Sequence, residues 1–348
     1  MAERYDDVRE LSEPQLRSLL DHGRPEERVW ALWALALQSA PEAIGALVRR
    51  AEPDAGVRRN LAVVLAGHGE LELLVGLAKR DPAPEVRAAA MQLVTRLAVD
   101  GKLPPALVDE RARVDGSEVR IAILGTVSSA SPPWLHELAR KLLGDDDRDV
   151  RYEAFEALVR AGDAPIAIAW LEEAPEAEAR IALIRWTARV PGRPDVGERL
   201  RACATQLANA SRRLRRLLIE SVRVAHWRDL APAIGDDASL VHAFARRSPD
   251  ALAEIPLATL VTIALREHDD SWLLLVRDRL ATIDVPDLAL APLLAAYRER
   301  CEARLRQLDK QFRDELVGTL DADELDAAAD YRDGFALAVE LARQLTLH

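Results

Sequence analysis

The sequence has few cysteines, no long apolar run and no apolar leader. The two cysteines, Cys203 and Cys301, lie far apart and in no metal-ligand or redox spacing, so a reducing compartment is expected and a disulfide framework is not. No apolar stretch reaches the ~18 residues that a membrane span needs. The first residues, MAERYDDVRE, are charged where a secretory signal would be apolar. These absences predict a cytoplasmic protein without a membrane partner.

Motifs that carry catalysis are also missing. The sequence has neither a glycine-rich phosphate loop nor a Gly-x-Ser-x-Gly nucleophile elbow, which argues against nucleotide hydrolysis and esterase chemistry. Its seven histidines include no pair at the i, i+4 spacing that places two metal ligands on one helical face. The sequence therefore predicts no catalytic residue, no metal and no cofactor.

Aromatic residues supply only 4% of the chain, although hydrophobic residues make up 49% of it. Alanine and leucine account for most of that hydrophobic content, and both are strong helix formers, so close-packed helices are favoured. The formal net charge of −11 argues against general binding to nucleic acid, because clustered positive charge supplies most of that affinity. A length of 348 residues fits a few compact domains or one elongated repeat array.

One phrase recurs about every thirty residues through the first two thirds of the chain. Its clearest copy is residues 145–162, DDDRDVRYEAFEALVRAG, in which an acidic turn precedes Val150-Arg151 and a glycine ends the apolar helix. Apolar residues follow each arginine at offsets of three and seven, which places them on one helical face. Helical hairpins of this size cannot bury their apolar faces alone, so neighbours must stack. The arginines that carry the phrase are Arg28, Arg58, Arg87, Arg120 and Arg151.

The Asp-x-x-Val-Arg-x-x-Ala phrase resembles the HEAT-like repeats, particularly the short class found also in phycobilisome lyases. The resemblance covers roughly residues 25–230. It implies an all-α fold, a right-handed α-solenoid of about seven to nine HEAT-like helical hairpins with a long-helix C-terminal cap. It also implies that the valine packs inside each hairpin and that the arginine bridges adjacent repeats. The five repeat arginines are therefore predicted to be structural.

The segments outside the repeats are predicted to be caps. Residues 1–24 form an N-terminal helical cap with Ser12-Glu13-Pro14-Gln15 as a capping box, and residues 231–284 form degenerate repeats. Residues 285–348 form a hairpin of long helices, the first over 286–320 and the second from the acidic turn at 321–324 to about 347. This hairpin either closes the solenoid or serves as a coiled-coil arm for a partner or a second copy.

Residues 201–228 carry seven arginines and a single acid, Glu220, in an otherwise acidic chain. On a helix that begins near Ser211, residues 212, 216 and 223 lie on one face, with residue 215 beside 212. Guanidinium groups spaced in this way fork onto carboxylates or phosphates. Alternatively, they bridge to neighbouring repeats and form a solvated face without a function. The predicted site for an acidic partner or an anion, called the arginine patch below, comprises Arg212, Arg213, Arg215, Arg216, Arg223, Trp227 and Arg228.

The predicted function is a non-catalytic scaffold of the bacterial cytosol that grips a protein partner along the concave side of the solenoid, with the arginine patch on an acidic segment of that partner. The HEAT-like family also includes DNA glycosylases, and Trp30, Trp33, Trp186 and Trp227 are candidates for stacking on bases. Against that alternative stands the acidic charge balance, since such solenoids need a basic inner surface, and core packing explains Trp30 and Trp33.

Two further members of the family suggest small-molecule or metal chemistry. A bilin-lyase-like function is a second alternative, although nothing specific identifies a bilin pocket. Deoxyhypusine hydroxylase, a HEAT-like enzyme, holds iron with several His-Glu dipeptides, and this sequence has only His136-Glu137. That is too few ligands for such a site.

Overall fold

The structure is a computed structural model that describes residues 8–38, 52–188, 193, 195–222, 229–230, 234–235, 237–247, 255–283, 288–312 and 322–346. Within these ranges the chain is helical and contains no strand. The predicted all-α class of stacked helical hairpins is confirmed. The chain divides into two compact units, Met1–Trp170 and Leu171–His348, and the boundary falls within a helix.

In the first unit, the helices that carry the repeat arginines pack in a row, α2 on α3, α3 on α5, α5 on α7 and α7 on α9. The intervening helices pack beside them, α4 against α3 and α5, and α6 against α5 and α7. The helices are α1 (Glu13–His22), α2 (Pro25–Leu37), α3 (Ala55–His68), α4 (Leu71–Arg80), α5 (Pro84–Val99), α6 (Pro105–Val114), α7 (Ser117–Leu124), α8 (Pro133–Leu142) and α9 (Arg148–Ala161).

The second unit begins within α10 (Ala164–Glu173). Its helices α11 and α14 pack together, α14 packs on α15, and the last four pack as α16 on α17 and α18, with α19 on α17 and α18. These helices are α11 (Glu176–Trp186), α12 (Val196–Ala202), α13 (Ala204–Ala208), α14 (Arg212–Ser221), α15 (Ala238–Arg247), α16 (Leu257–Arg266), α17 (Ser271–Leu280), α18 (Ala291–Gln311) and α19 (Ala322–Thr346).

The ends of α9 show why the recurring phrase folds as it does. The side chain of Asp147 accepts a hydrogen bond from the backbone N–H of Asp149 at 2.8 Å, which caps the first turn. That bond lowers the pKa of Asp147 below its ordinary value. Gly162 ends the helix with a φ of 86°, a left-handed conformation that glycine adopts at little cost. Between them, Val150 and Leu158 are fully buried.

Arg58 shows how a repeat arginine joins adjacent repeats. Its Nε and Nη2 donate to the two carboxylate oxygens of Asp81 at 2.8 and 3.0 Å, and its Nη1 donates to the carbonyl of Glu52 at 2.9 Å. The Asp81 side chain is only 2% exposed. The hydrogen bond to Asp81 raises the pKa of Arg58 above its ordinary value. Charge-assisted, two-point bonds of this kind are the strong ones.

The same contacts repeat along the first unit. Each repeat arginine donates to a backbone carbonyl five or six residues before it, and Arg28, Arg58, Arg87 and Arg120 also pair with an acid that begins the next repeat. We call this continuous set of contacts the arginine ladder. It confirms the prediction that the repeat arginine bridges adjacent repeats for Arg28, Arg58, Arg87 and Arg120. The four pairs are Arg28–Glu52 at 2.8 Å, Arg58–Asp81 at 2.8 Å, Arg87–Asp115 at 3.4 Å and Arg120–Asp145 at 3.0 Å.

The acids of the arginine ladder also order the turn in which they lie. Glu52, Asp81 and Asp145 each accept a hydrogen bond from the backbone N–H two residues later, at 2.9 to 3.0 Å. One carboxylate therefore binds the arginine of the preceding repeat and fixes the entry to the next repeat helix. Hydrogen bonds to several donors are what make a buried charge tolerable.

The C-terminal hairpin of α18 and α19 packs back onto α16 and α17. Arg304 pairs with Asp270 at 2.6 Å, and the Tyr331 hydroxyl donates to the same carboxylate at 3.0 Å. These contacts support the interpretation that the hairpin closes the array. The first long helix begins at Ala291, after a 3₁₀ turn over Leu288–Leu290, and not at Pro286 as predicted, while residues 313–320 lie outside the described ranges.

At the N-terminus, the predicted capping role of Ser12 is confirmed, because its backbone N–H donates to Gln15 Oε1 at 3.0 Å. The predicted division into segments 1–24, 25–230, 231–284 and 285–348 stays a prediction. Among the helices of the described ranges, none combines the length and the apolar character that spanning a membrane requires.

Both cysteines lie in the packed core of the second unit. Cys203 ends α12 and is 1% exposed, and Cys301 in α18 is fully buried. Burial raises the pKa of each thiol to about 11. Because the thiolate is the reactive form, neither side chain is suited to nucleophilic chemistry.

Replacing Arg58 with alanine is expected to lower the free energy of unfolding by ~3 kcal/mol, because it leaves the buried Asp81 carboxylate without its cation. The matched control is Arg59→Ala, at the neighbouring exposed position, where a change within about 0.5 kcal/mol is expected. Urea unfolding followed by circular dichroism measures both. Equal effects of the two substitutions would contradict the structural role of the arginine ladder.

Iodoacetamide at pH 8 is expected to label both cysteines about a hundredfold more slowly in the folded chain than in urea, because little thiolate forms in the core. Mass spectrometry of the alkylated peptides gives the rate for each thiol. The raised pKa also makes the folded state bind more protons than the unfolded one above pH ~9, so stability falls as the pH rises from about 9 towards 11. Rapid labelling of either thiol in the folded chain would show that it is exposed.

Candidate binding groove beside helix α14

Helix α14 carries four arginines of the predicted arginine patch. Ser211 is the N-cap residue of this helix, and its hydroxyl accepts a hydrogen bond from the backbone N–H of Leu214 at 3.2 Å. The apolar face of the helix, formed by Leu214, Leu217 and Leu218, is fully buried. No acid lies in its first turn. Positive charges at the N-terminal end of a helix interact unfavourably with the helix dipole. The contacts that these arginines make with neighbouring helices must offset that unfavourable interaction.

Arg213 has a structural role at the end of a neighbouring helix. Its Nη1 donates to the carbonyl of Glu172 at 2.9 Å, and its Nη2 donates to that of Ala174 at 2.6 Å. Carbonyls at the C-terminal end of a helix lack partners within that helix, and a cation there also suits the dipole. Arg213 therefore caps α10.

Arg216 belongs to a network of exposed ion pairs between α11 and α14. It lies 3.5 Å from Glu176 and 3.8 Å from Glu220, and Arg180 lies 2.7 Å from the same Glu220. Half-exposed pairs of this kind contribute little to stability. The predicted alternative of a solvated face fits Arg216.

Arg212 faces the opposite neighbour of α14. Its Nε lies 3.3 Å from the carboxylate of Asp237 and 3.1 Å from the hydroxyl of Ser239, at the start of α15. The Arg212 side chain is 65% exposed, so most of its donors remain available to a ligand. Partial burial opposes ionisation of Asp237, but hydrogen bonds from Ser239 and Leu240 and the charge of Arg212 lower its pKa.

Arg215 is half-buried and has no carboxylate partner in the part of the chain that the structure describes. Its Nη1 donates to the carbonyl of Ile234 at 3.0 Å, which fixes the guanidinium in place. The next residue, Gly235, has a φ of 60°, and a Cβ there would stand 3.3 Å from Arg215 Nη1. Glycine at this position therefore permits both the turn and the close approach of Arg215.

Arg212 and Arg215 together line one side of a groove with a volume of about 630 Å³. That volume lies within the range of ~300–1,000 Å³ that small-ligand sites occupy. The other walls come from α15, from the end of α16 and from the start of α17. The lining residues are Arg212, Arg215, Asp237, Ala238, Ser239, His242, Arg266, Glu267, Asp269 and Trp272.

The aromatic side of the groove is formed by His242 and Trp272, whose ring centroids are 5.9 Å apart. His242 is exposed, and Trp272 is buried except for 6% of its surface. Asp269 lies beside them and accepts a hydrogen bond from the backbone N–H of Ser271 at 2.9 Å. That bond, and the charge of His242, lower the pKa of Asp269.

The structure thus brings together Arg212 and Arg215 of the predicted patch and directs Arg213 and Arg216 to other neighbours. Arg223, Trp227 and Arg228 lie outside the described residues. The rest of the groove lining was not predicted from the sequence, because α15, α16 and α17 lack the Val-Arg phrase and no other motif marks them. The residues missed are His242, Arg266, Glu267, Asp269 and Trp272.

The lining of the groove is mainly charged, with three arginines and three acids. Among the described residues, no group of histidine, cysteine and acidic side chains is arranged to hold a metal ion. Of the tryptophans considered for base stacking, Trp186 is 1% exposed and Trp33 donates to Asn60 Oδ1 at 3.2 Å in the first unit. Trp30 is half-buried in the same helix as Trp33.

Replacing Gly235 with alanine is expected to lower the free energy of unfolding by about 1–2 kcal/mol, because a left-handed residue acquires a Cβ. The same Cβ is expected to displace Arg215 from the Ile234 carbonyl. The control is Gly67→Ala in α3, where nothing lies within 4 Å and alanine should raise helix stability by up to ~1 kcal/mol. Urea unfolding distinguishes the two, and opposite signs are expected. A stabilised Gly235→Ala protein would contradict the assigned turn.

Comparison with known proteins adds a family match for part of the chain. Residues 13–94 match the family model of HEAT repeats. No curated protein matches. Among solved structures, YibA of Escherichia coli has 16% sequence identity, with 81% of this chain and 97% of that chain covered and a TM-score of 0.44. An engineered protein has 16% identity, with 97% of each chain covered and a TM-score of 0.15. The predicted HEAT-like repeats are confirmed over residues 13–94, the part of the chain in which the arginine ladder begins.

Proposed function

We propose that this chain is a non-catalytic scaffold of the bacterial cytosol that binds a protein partner, and that the groove beside α14 takes an acidic segment of that partner. The observation that carries the proposal is Arg215, a guanidinium fixed by the Ile234 carbonyl and without a carboxylate partner among the described residues. Arg212, two thirds exposed, stands beside it. Guanidinium groups held in this way bind carboxylates with defined geometry.

The repeat architecture supports a binding role. HEAT repeats generally serve as scaffolds for protein interactions, because each stacked hairpin adds surface without changing the core. The arginine ladder uses its buried charges for stability, and the charges of the groove are left at the surface. We further propose that the repeats are of the short class found in phycobilisome lyases, which the spacing of the repeat arginines supports.

Nucleic acid is the weaker alternative as a partner. The groove contains three arginines, but three acids lie among them: Asp237, Glu267 and Asp269. A duplex needs a surface with a clear positive excess. A polyanion in this groove would bring its phosphates close to those carboxylates.

The test is affinity capture from cells of the native host with three forms of the full chain. Wild type and Arg216→Glu are expected to recover the same partner, whereas Arg212→Glu combined with Arg215→Glu should lose it by at least about tenfold. Arg216→Glu is the matched control, because it reverses a charge on the same helix outside the groove. Thermal unfolding of each form establishes that it is folded.

A photo-crosslinking amino acid at Ala238, which lines the groove, identifies the bound segment. The cross-linked peptide is expected to contain aspartate or glutamate. Equal recovery of the partner by wild type and the double variant, or cross-links to a segment without acids, would overturn the proposal. Retention of duplex DNA at low salt that the double variant abolishes would instead favour the nucleic-acid alternative.

A further inference from the structure

The charges that line the groove are mostly paired within the protein. Arg212 lies 3.3 Å from Asp237, and Arg266 lies 3.3 Å from Glu267. Two lining charges have no such pair in the described part of the chain: the cation of Arg215, and the anion of Asp269, whose only cationic neighbour there is the His242 ring. The groove therefore presents one free charge of each sign.

Both free charges are held in position by the backbone. The Arg215 guanidinium donates to the Ile234 carbonyl at 3.0 Å, and Asp269 accepts from the N–H of Ser271 at 2.9 Å. Positions fixed before binding reduce the entropy that a ligand must lose on binding. Asp269 is exposed, and like an ordinary aspartate it is ionised at neutral pH.

We infer that the segment bound in the groove carries a carboxylate and a cationic side chain within a few residues of each other, with the carboxylate at Arg215 and the cation at Asp269. This inference rests on the proposed function, which it makes more specific. The exposed ring of His242, whose centroid is 5.9 Å from that of the buried Trp272, stands beside Asp269 and gives the aliphatic stem of a lysine or arginine a surface to pack against.

A segment with acids alone fits the groove less well. Its first carboxylate satisfies Arg215, but the other lining arginines, Arg212 and Arg266, already pair with Asp237 and Glu267, and Asp269 repels a second carboxylate. Like charges brought together at an interface oppose binding and suppress the wrong partner. A mixed-charge segment instead satisfies both unpaired groups at once.

The test uses octapeptide arrays on a neutral Gly-Ser-Leu background. In one set, a glutamate and a lysine are moved through all positions, and the matched sets carry two glutamates or two lysines. Binding of the purified full chain is measured on the arrays and then in solution by fluorescence anisotropy. The best glutamate–lysine peptide is expected to bind at least about tenfold more tightly than any two-glutamate peptide.

Two substitutions assign each charge to its partner. Arg215→Gln should remove the advantage of the glutamate, and Asp269→Asn should remove that of the lysine. Asparagine retains the oxygen that accepts from Ser271, so the start of α17 stays capped. Arg216→Gln, outside the groove, should change neither preference.

The results that would overturn the mixed-charge segment differ from those that would overturn the groove as the partner site. Tighter binding of two-glutamate peptides that Arg215→Gln abolishes would overturn the mixed-charge segment and leave an acidic partner in place. A lysine preference unchanged by Asp269→Asn would overturn the role of Asp269 alone. If no peptide shows binding that depends on Arg215, both the inference and the groove as the partner site are overturned.

Discussion

The bond between the arginine of one repeat and the buried carboxylate of the next holds the first unit together. Burying a charge is costly unless it is paired and its remaining hydrogen-bonding capacity is filled. Arg58 meets both conditions, with two bonds to Asp81 and others to backbone carbonyls. Because Glu52, Asp81 and Asp145 also order the turns that follow them, the repeats that they begin depend on their neighbours. Stacking of apolar faces and pairing of charges thus enforce the same arrangement.

The second unit uses arginine differently. Arg180 occupies the corresponding place in α11 but forms partly exposed pairs with Glu176 and Glu220. The arginines of α14 divide between capping α10, pairing on the surface and lining the groove. Among the described residues, Arg215 has only a backbone partner, which leaves part of its donor capacity unused. Arg28, Arg58, Arg87 and Arg120 each have a carboxylate partner, whereas Arg215 has none among the described residues.

The sequence predicted local features well and long-range ones poorly. Asp147 and Gly162 mark the ends of α9 because capping depends on residues within one turn, and the repeat arginines were recognisable because their contacts lie at fixed offsets. The contacts of the arginine patch could not be predicted in this way. Arg212 and Arg216 are one turn apart, yet one contacts α15 and the other α11. Which neighbour each meets depends on the packing of whole helices, and Asp269 on the opposite wall carries no sequence mark.

The contact geometry of the arginine ladder also bears on which changes of chain length the fold can accept. In every repeat, the carbonyl that the arginine binds lies five or six residues before that arginine. From the arginine to its acid the chain runs 23 to 25 residues in three links and further from Arg87 to Asp115. Insertions and deletions can therefore accumulate during evolution in the segment between each repeat arginine and its acid. The short turn before each repeat arginine has no such freedom, since one added residue would move the guanidinium away from its acceptors.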